Sequence, residues 1–180
     1  MSDRYWPTHT LGAPQGLRPW LRDPGSLTRR IQQRCQRFGV ELLPTSTMHL
    51  PRDERALLST CERAPMWRRE VLLFADGQPV VFAHSATARC HLRGAWRQLA
   101  DLGERPLGAL LFAHPEVVRL PLHCRALSSH HALYRRAAAL LSERPRQLWA
   151  RRSLFLLHGA PLLVTEVFLP ATLDLPHAPL

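Results

Sequence analysis

Apolar and polar positions alternate most regularly in two parts of the chain. Residues 67–74 and 80–85 are β-rich runs on either side of Ala75-Asp76-Gly77-Gln78, and an Asp-Gly pair between such runs predicts an antiparallel hairpin. Residues 153–157 and 162–169 repeat the arrangement across His158-Gly159-Ala160-Pro161, so two hairpins should make up much of one sheet. Helical spacing governs other segments. Ser26 can cap a helix bearing Leu27, Ile31, Cys35 and Phe38 and ended by Gly39. Residues 94–102 and 107–112 read as short helices, and 128–142 as a longer one with Leu133, Ala137, Leu140 and Leu141 on its apolar side. Strand-like stretches at 40–43 and 45–50 are divided by Pro44, and a short helix follows Asp53 before a loop around Pro65. Residues 1–25, with Pro7, Pro14, Pro19 and Pro24, read as an irregular lead-in, and residues 171–180 as a dispensable tail.

A leading helix, hairpins and intervening helices form neither a βαβ alternation nor a repeat array. The pattern predicts an α+β fold: a single antiparallel β-sheet covered by helices, formed by residues 1–180 as one domain.

Two charges interrupt the apolar runs. Alternation places Leu162, Val164, Glu166 and Phe168 on one strand face, and Arg69, Val71 and Leu73 on one face of the earlier hairpin. Burying an unpaired ionised carboxylate is costly, so Glu166 must be protonated, paired with a cation, or awaiting a ligand. Arg69 and Glu166 could be sheet neighbours forming an internal ion pair, or edge charges in water. Alternatively they flank a pocket, with Arg69 clamping a ligand carboxylate through its planar fork and Glu166 engaging a hydroxyl. Arg151 and Arg152 open the strand before Glu166 and should point to opposite sides, so that one can face the pocket unless both lie at a solvated strand start. His84 falls near Arg69 by the same alternation and reads as a surface or internally satisfied histidine.

Composition narrows the chemistry. The net charge of +10 invites a nucleic-acid reading, but all 24 basic residues are Arg, Lys and Asn are absent, and Ile31 is the lone isoleucine. Loss of the residues with AT-rich codons points to genomic base composition, so the arginine excess says little about function, although its field attracts small anions. Missing lysine excludes Schiff-base catalysis and P-loops. Neither a Gly-x-Ser-x-Gly elbow nor a glycine-rich dinucleotide fingerprint is present. Cys35, Cys61, Cys90 and Cys124 are scattered, and His123, Cys124, His130 and His131 lack a recognised metal-ligand spacing, so no metal is expected. With no secretory leader or membrane-spanning stretch, a reduced cytoplasmic setting is expected.

At these same residues the sequence resembles the chorismate pyruvate-lyase family. The likeness runs through Trp67-Arg68-Arg69-Glu70-Val71-Leu72-Leu73 with Asp76-Gly77 and Pro79, then Pro106-Leu107-Gly108 with Leu111-Phe112. It continues through Leu148-Trp149-Ala150-Arg151-Arg152-Ser153 and Gly159-Ala160-Pro161-Leu162-Leu163-Val164-Thr165-Glu166-Val167-Phe168-Leu169-Pro170, with a weaker match at Ser26-Leu27-Thr28-Arg29-Arg30. The resemblance implies a cofactor-free enzyme that eliminates pyruvate from chorismate to give 4-hydroxybenzoate for ubiquinone synthesis, its aromatic product buried under flap segments. It implies that Arg69 binds the ring carboxylate, that Glu166 meets the ring hydroxyl, and that backbone amides at Leu27 and Leu107 contact the ligand. An arginine such as Arg151 or Arg152 would then meet the enolpyruvyl carboxylate. His84 stands where some members have Arg, and residues 115–146 contribute no functional residue by resemblance. A monomer binding chorismate and 4-hydroxybenzoate, and neither nucleic acid nor membrane, is expected. Rival readings are a sensor domain of the same architecture that binds a small acid without converting it, and a basic nucleic-acid-binding module, which lacks interleaved surface aromatics.

Overall fold

The computed structural model describes residue 3 and residues 5–44, 50–58 and 65–176. Both expected hairpins form. Strands β2 (Met66–Ala75) and β3 (Gln78–Ala88) are joined by Asp76 and Gly77, and β6 (Leu148–Leu157) and β7 (Ala160–Phe168) by His158 and Gly159. All four turn residues have positive φ, the signature of a two-residue turn whose twist matches that of its strands. The second turn is therefore two residues, not the four suggested by the pattern, and β6 begins five residues before 153.

Among the described residues the sheet has seven strands in the order β1 (Phe38–Leu42), β2, β3, β7, β6 and β4 (Val118–Arg119), with β5 (His123–Leu127) also pairing to β6, and every pairing is antiparallel. The leading helix stops earlier than its apolar spacing suggests, as α2 (Leu27–Gln32), because the Asp76 carboxylate accepts from the amides of Gln36 and Arg37 and draws the chain into the sheet. Strands β4 (Val118–Arg119) and β5 (His123–Leu127) pair successive parts of β6 and were not visible in the sequence pattern. Of the expected strand at 45–50, residues 45–49 lie outside the described residues.

Alternation divides the core between the two faces of the sheet. On one face, Val71, Leu73, Val81, Trp149 and Phe168 pack against Leu17, Trp20 and Leu21 of the N-terminal segment and Leu27 and Ile31 of α2. Toward its other end, Phe155 and Leu162 pack with Trp96, Leu99 and helix α4 (Leu107–Ala113). The opposite face carries Leu72, Phe82, Ala150 and Val167 under α5 (Ala132–Ala138), with Trp6 and Tyr134, and Ala86, Leu154 and Leu163 under α3 (Arg52–Leu57).

Several expected elements differ in extent. The 128–142 helix is only α5, because the His131 side chain accepts from the Leu133 amide and starts the helix there. Residues 94–102 contain a 3-10 turn at Arg97–Leu99 instead of a helix. Residues 1–25 include helix α1 (Arg18–Arg22) and bury Trp6, Trp20 and Leu21. Nor is the start of the tail peripheral: Pro170–Asp174 forms a 3-10 turn, and the fully buried Thr172 donates its hydroxyl proton to the Val80 carbonyl at 2.5 Å. No helix is long and apolar enough to cross a membrane among the described residues.

Candidate active site

A cavity opens on the sheet face that carries β2, β3, β6 and β7, under α2 and α4. It encloses about 600 Å³ of empty space, open solvent at its mouth included. Most of its wall is apolar, with Val71, Leu73, Leu111, Phe112, Phe155 and Val164 among the lining residues. Among the described residues three charged ones line it: Arg69, Arg119 and Glu166.

Arg69 comes from β2, opposite Ser85 of β3, and is only 6% exposed. Its Nε and Nη2 donate to the Gly103 carbonyl at 3.1 and 2.8 Å, and Nη2 also donates to the Arg105 carbonyl at 2.9 Å. Among the described residues no carboxylate pairs with it. Burial lowers its pKa from the ordinary arginine value, the direction expected of a desolvated cation. Neutral carbonyls orient this guanidinium without balancing its charge.

Glu166 belongs to β7, two strands away. Its cross-strand partner on β6 is Arg151, whose Nε donates to Glu166 Oε2 at 2.5 Å. The internal ion pair foreseen for Glu166 therefore exists, but with Arg151, not Arg69. Arg69 and Glu166 are separated by the width of β3 and by two residues of register, about 12 Å between backbones on ordinary sheet spacings. They wall one cavity without being neighbours. The Glu166 side chain is 16% exposed, and among the described residues no donor reaches its Oε1.

Arg151 and Arg152 do point to opposite faces, and both are consumed by the protein. Arg151 Nη1 donates to the carbonyls of Trp20 and Asp23, each at 2.7 Å, which ties the N-terminal segment to the sheet beneath Glu166. Arg152, on the far face, uses Nε and Nη2 on the Asp3 carboxylate and Nη1 on Asp53. Neither has a fork left for a ligand in the cavity.

Leu27 and Leu107 both line the cavity and open α2 and α4. First-turn amides have no partner within their own helix, so these positions present N–H groups at helix starts. The helices approach closely at Gly108, where a Cβ would lie 2.9 Å from Ser26 Oγ and 3.3 Å from Thr28 Oγ1.

His84 lies on the opposite face of the sheet from the cavity. It is buried between two carboxylates, with Nε2 3.1 Å from Glu54 and Nδ1 3.3 Å from Glu70, and Glu70 also receives Arg136 at 2.5 Å. Burial pushes its pKa down, but Glu54 and then Glu70 outweigh that and hold it up at about 9. It is an internally satisfied histidine. His123 and His131 are engaged locally, with the Trp6 carbonyl and the Leu133 amide, and no group of three or more potential metal ligands occurs among the described residues.

Arg119 is the cavity residue that the sequence did not reveal. Strand β4 is two residues long, too short for alternation to register, and it docks against β6 with Arg119 opposite Phe155. Its guanidinium lies over the rings of Phe155 and Phe112, at 5.3 and 5.6 Å from their centroids, and Nη1 donates to the carbonyls of Pro24 and Gly25 at 2.5 and 3.3 Å.

Comparison with known proteins places this arrangement among relatives. A family model described as chorismate lyase matches residues 6–175. A probable chorismate pyruvate-lyase of Aromatoleum aromaticum is 53% identical over 165 residues, covering 91% of this chain and 89% of the relative. Another, of an Azoarcus species, is 51% identical over 172 residues, covering 93% and 91%. Among solved structures, PhnF from Mycobacterium smegmatis shares the fold with a TM-score of 0.58 at 16% identity, covering 83% of this chain and 66% of that one. The ligand-binding domain of a GntR-family transcriptional regulator from Bordetella bronchiseptica does so with a TM-score of 0.55 at 19% identity, covering 80% and 89%.

Proposed function

The chain belongs to the chorismate lyase family and is a lyase, and on that footing we propose that it eliminates pyruvate from chorismate and releases 4-hydroxybenzoate. The observation that carries this reading is that one mostly apolar cavity is walled by Glu166 and by a buried Arg69 that no carboxylate meets among the described residues. A ring with a carboxylate at one end and a hydroxyl at the other matches that polarity. Arg69 takes the ring carboxylate, which supplies in the complex the counter-charge that the carbonyls of Gly103 and Arg105 do not. Glu166 Oε1 accepts from the hydroxyl, while Arg151 on Oε2 holds the carboxylate in place. The N–H groups of Leu27 and Leu107 add donors from the two helices over the cavity, which serve as the flaps.

In the reaction the ether C–O bond breaks and its electrons leave with the enolpyruvyl oxygen. The carbinol hydrogen is lost from the ring as the last ring double bond forms, and a proton gained at the methylene carbon completes the methyl group of pyruvate. Aromatisation supplies much of the driving force. What remains for the protein is orientation, charge neutralisation and exclusion of water, all within reach of a preorganised cavity with fixed charges. No cofactor is needed for such an elimination. The product would serve ubiquinone synthesis in the cytoplasm, and a cavity walled by one chain allows a monomer to do this.

Incubation of the purified protein with chorismate tests the proposal. Equimolar pyruvate and 4-hydroxybenzoate are expected. Binding of 4-hydroxybenzoate with no pyruvate released would make the domain a sensor of small aromatic acids instead of an enzyme.

A further inference from the structure

We infer that Arg119 reads the second carboxylate of the substrate, the one on the enolpyruvyl group that departs as pyruvate. This rests on the chorismate reading above. Chorismate is a dianion, and one cation, Arg69, is assigned to its ring carboxylate. The expected second cation was Arg151 or Arg152, but the first is held by Glu166 and two carbonyls and the second by Asp3 and Asp53 on the far face. Among the described residues Arg119 is the other cation in the cavity wall.

Its hydrogen bonding leaves the right edge free. Nη1 is spent on Pro24 and Gly25, whereas Nε is buried without a partner and Nη2 makes no hydrogen bond to a described residue. Nε and Nη2 are the two donors that lie side by side on a guanidinium, so the open edge is the one that grips a carboxylate with two parallel hydrogen bonds. A buried Nε–H without an acceptor costs stability until a ligand arrives. Phe112 and Phe155 hold the guanidinium from the side, so little rotamer freedom is lost on binding.

Position agrees with substrate chemistry. The enolpyruvyl ether is borne by the ring carbon next to the one bearing the hydroxyl, so the second carboxylate must lie beside the Glu166 end of the cavity, off the line from Arg69. Arg119 reaches the cavity from β4, next to β6, the strand that also pairs with Glu166. Burial lowers its pKa, while the nearby Glu166 charge opposes that shift. Its anchors at Pro24 and Gly25 immediately precede Ser26 and Leu27, so engagement of the departing group also holds the start of α2 over the cavity.

Comparison of two ligands tests this, because 4-hydroxybenzoate lacks the second carboxylate. In Arg119→Gln, kcat/KM for chorismate should fall by about 100-fold, mainly through KM, while the Kd for 4-hydroxybenzoate should change by less than about threefold. Arg69→Ala should weaken both ligands. Arg119→Lys retains a charge that can reach Pro24 but lacks the fork, so it should fall between wild type and Gln, and it keeps the test open if Gln fails to fold. Equal losses for chorismate and 4-hydroxybenzoate in either Arg119 variant, or no loss for chorismate, would overturn the assignment. Wild-type protein that binds 4-hydroxybenzoate but releases no pyruvate from chorismate would overturn the enzymatic reading itself, and this one with it.

Discussion

Glu166 lines the cavity with its two oxygens differently engaged: Oε2 is locked to Arg151, and Oε1 meets no donor among the described residues. Arg151 makes its other hydrogen bonds to carbonyls, so loss of the carboxylate charge leaves a buried cation without its counter-ion. Glu166→Gln keeps the shape and should cost about 1 to 2 kcal/mol of stability, read by urea unfolding, and lower kcat by roughly 10- to 100-fold. Full activity would leave Glu166 only a hydrogen-bonding role. Alternation alone placed Arg69 and Glu166 on the correct face, but choosing the partner of Glu166 required the hairpin register. A four-residue turn at 158–161 sets Ser153 opposite Glu166, whereas the observed turn of His158 and Gly159 sets Arg151 there. One misjudged turn length moves every cross-strand pair by two residues, which is why the pattern does not set Arg151 opposite Glu166.

At the scale of elements, α2 and α4 meet over the cavity at Gly108, and the space there is already filled. A methyl group at 2.9 Å from Ser26 Oγ must displace the side chain that caps α2 by accepting from the Arg29 amide. Gly108→Ala should therefore cost about 1 to 3 kcal/mol and raise KM for chorismate, because Leu27 and Leu107 shift with the helices they open. Unchanged thermal stability and KM would show that the two helices give way freely. The hairpins and α4 were legible because each carries its own local pattern and turn or Pro punctuation. Strands β4 and β5 were not, since they pair with distant β6 and their short stretches alternate too briefly to stand out from a loop. Helix α2 was overestimated for a related reason: a side chain 40 positions away, Asp76, claims the backbone at Gln36.

For the whole molecule, the sheet separates two kinds of buried charge. Among the described residues the cavity face leaves Arg69 without a carboxylate and one edge open on each of Glu166 and Arg119, whereas the opposite face sets charge against charge: Arg152 with Asp3 and Asp53, and His84 with Glu54 and Glu70. One face leaves charged groups open to a cavity, and the other uses them to hold α3 and the chain at Asp3. Both ring nitrogens of His84 meet carboxylate oxygens, so the imidazolium is the form that satisfies them. Its folded pKa, about 9, lies above the ordinary 6.5, so its stabilisation is complete below pH 6.5 and is lost as pH rises through 9. Melting temperature should decline across that window by an amount reflecting on the order of 3 kcal/mol, and His84→Gln should flatten the decline while lowering stability at pH 6. A wild-type melting temperature that stays level from pH 6 to 10 would contradict the charged assignment.

The proposed place of chorismate turnover is the cavity walled by Arg69 and Glu166. This placement is tested most directly by following pyruvate release from chorismate with wild-type protein and Arg69→Ala at matched concentration, both shown to be folded by circular dichroism. The prediction is one pyruvate per 4-hydroxybenzoate from wild type, and a loss of kcat/KM on the order of 30- to several thousand-fold in the variant, equivalent to about 2 to 5 kcal/mol of lost ligand stabilisation. Near-normal kcat/KM in folded Arg69→Ala would contradict it and remove the cavity from the chemistry.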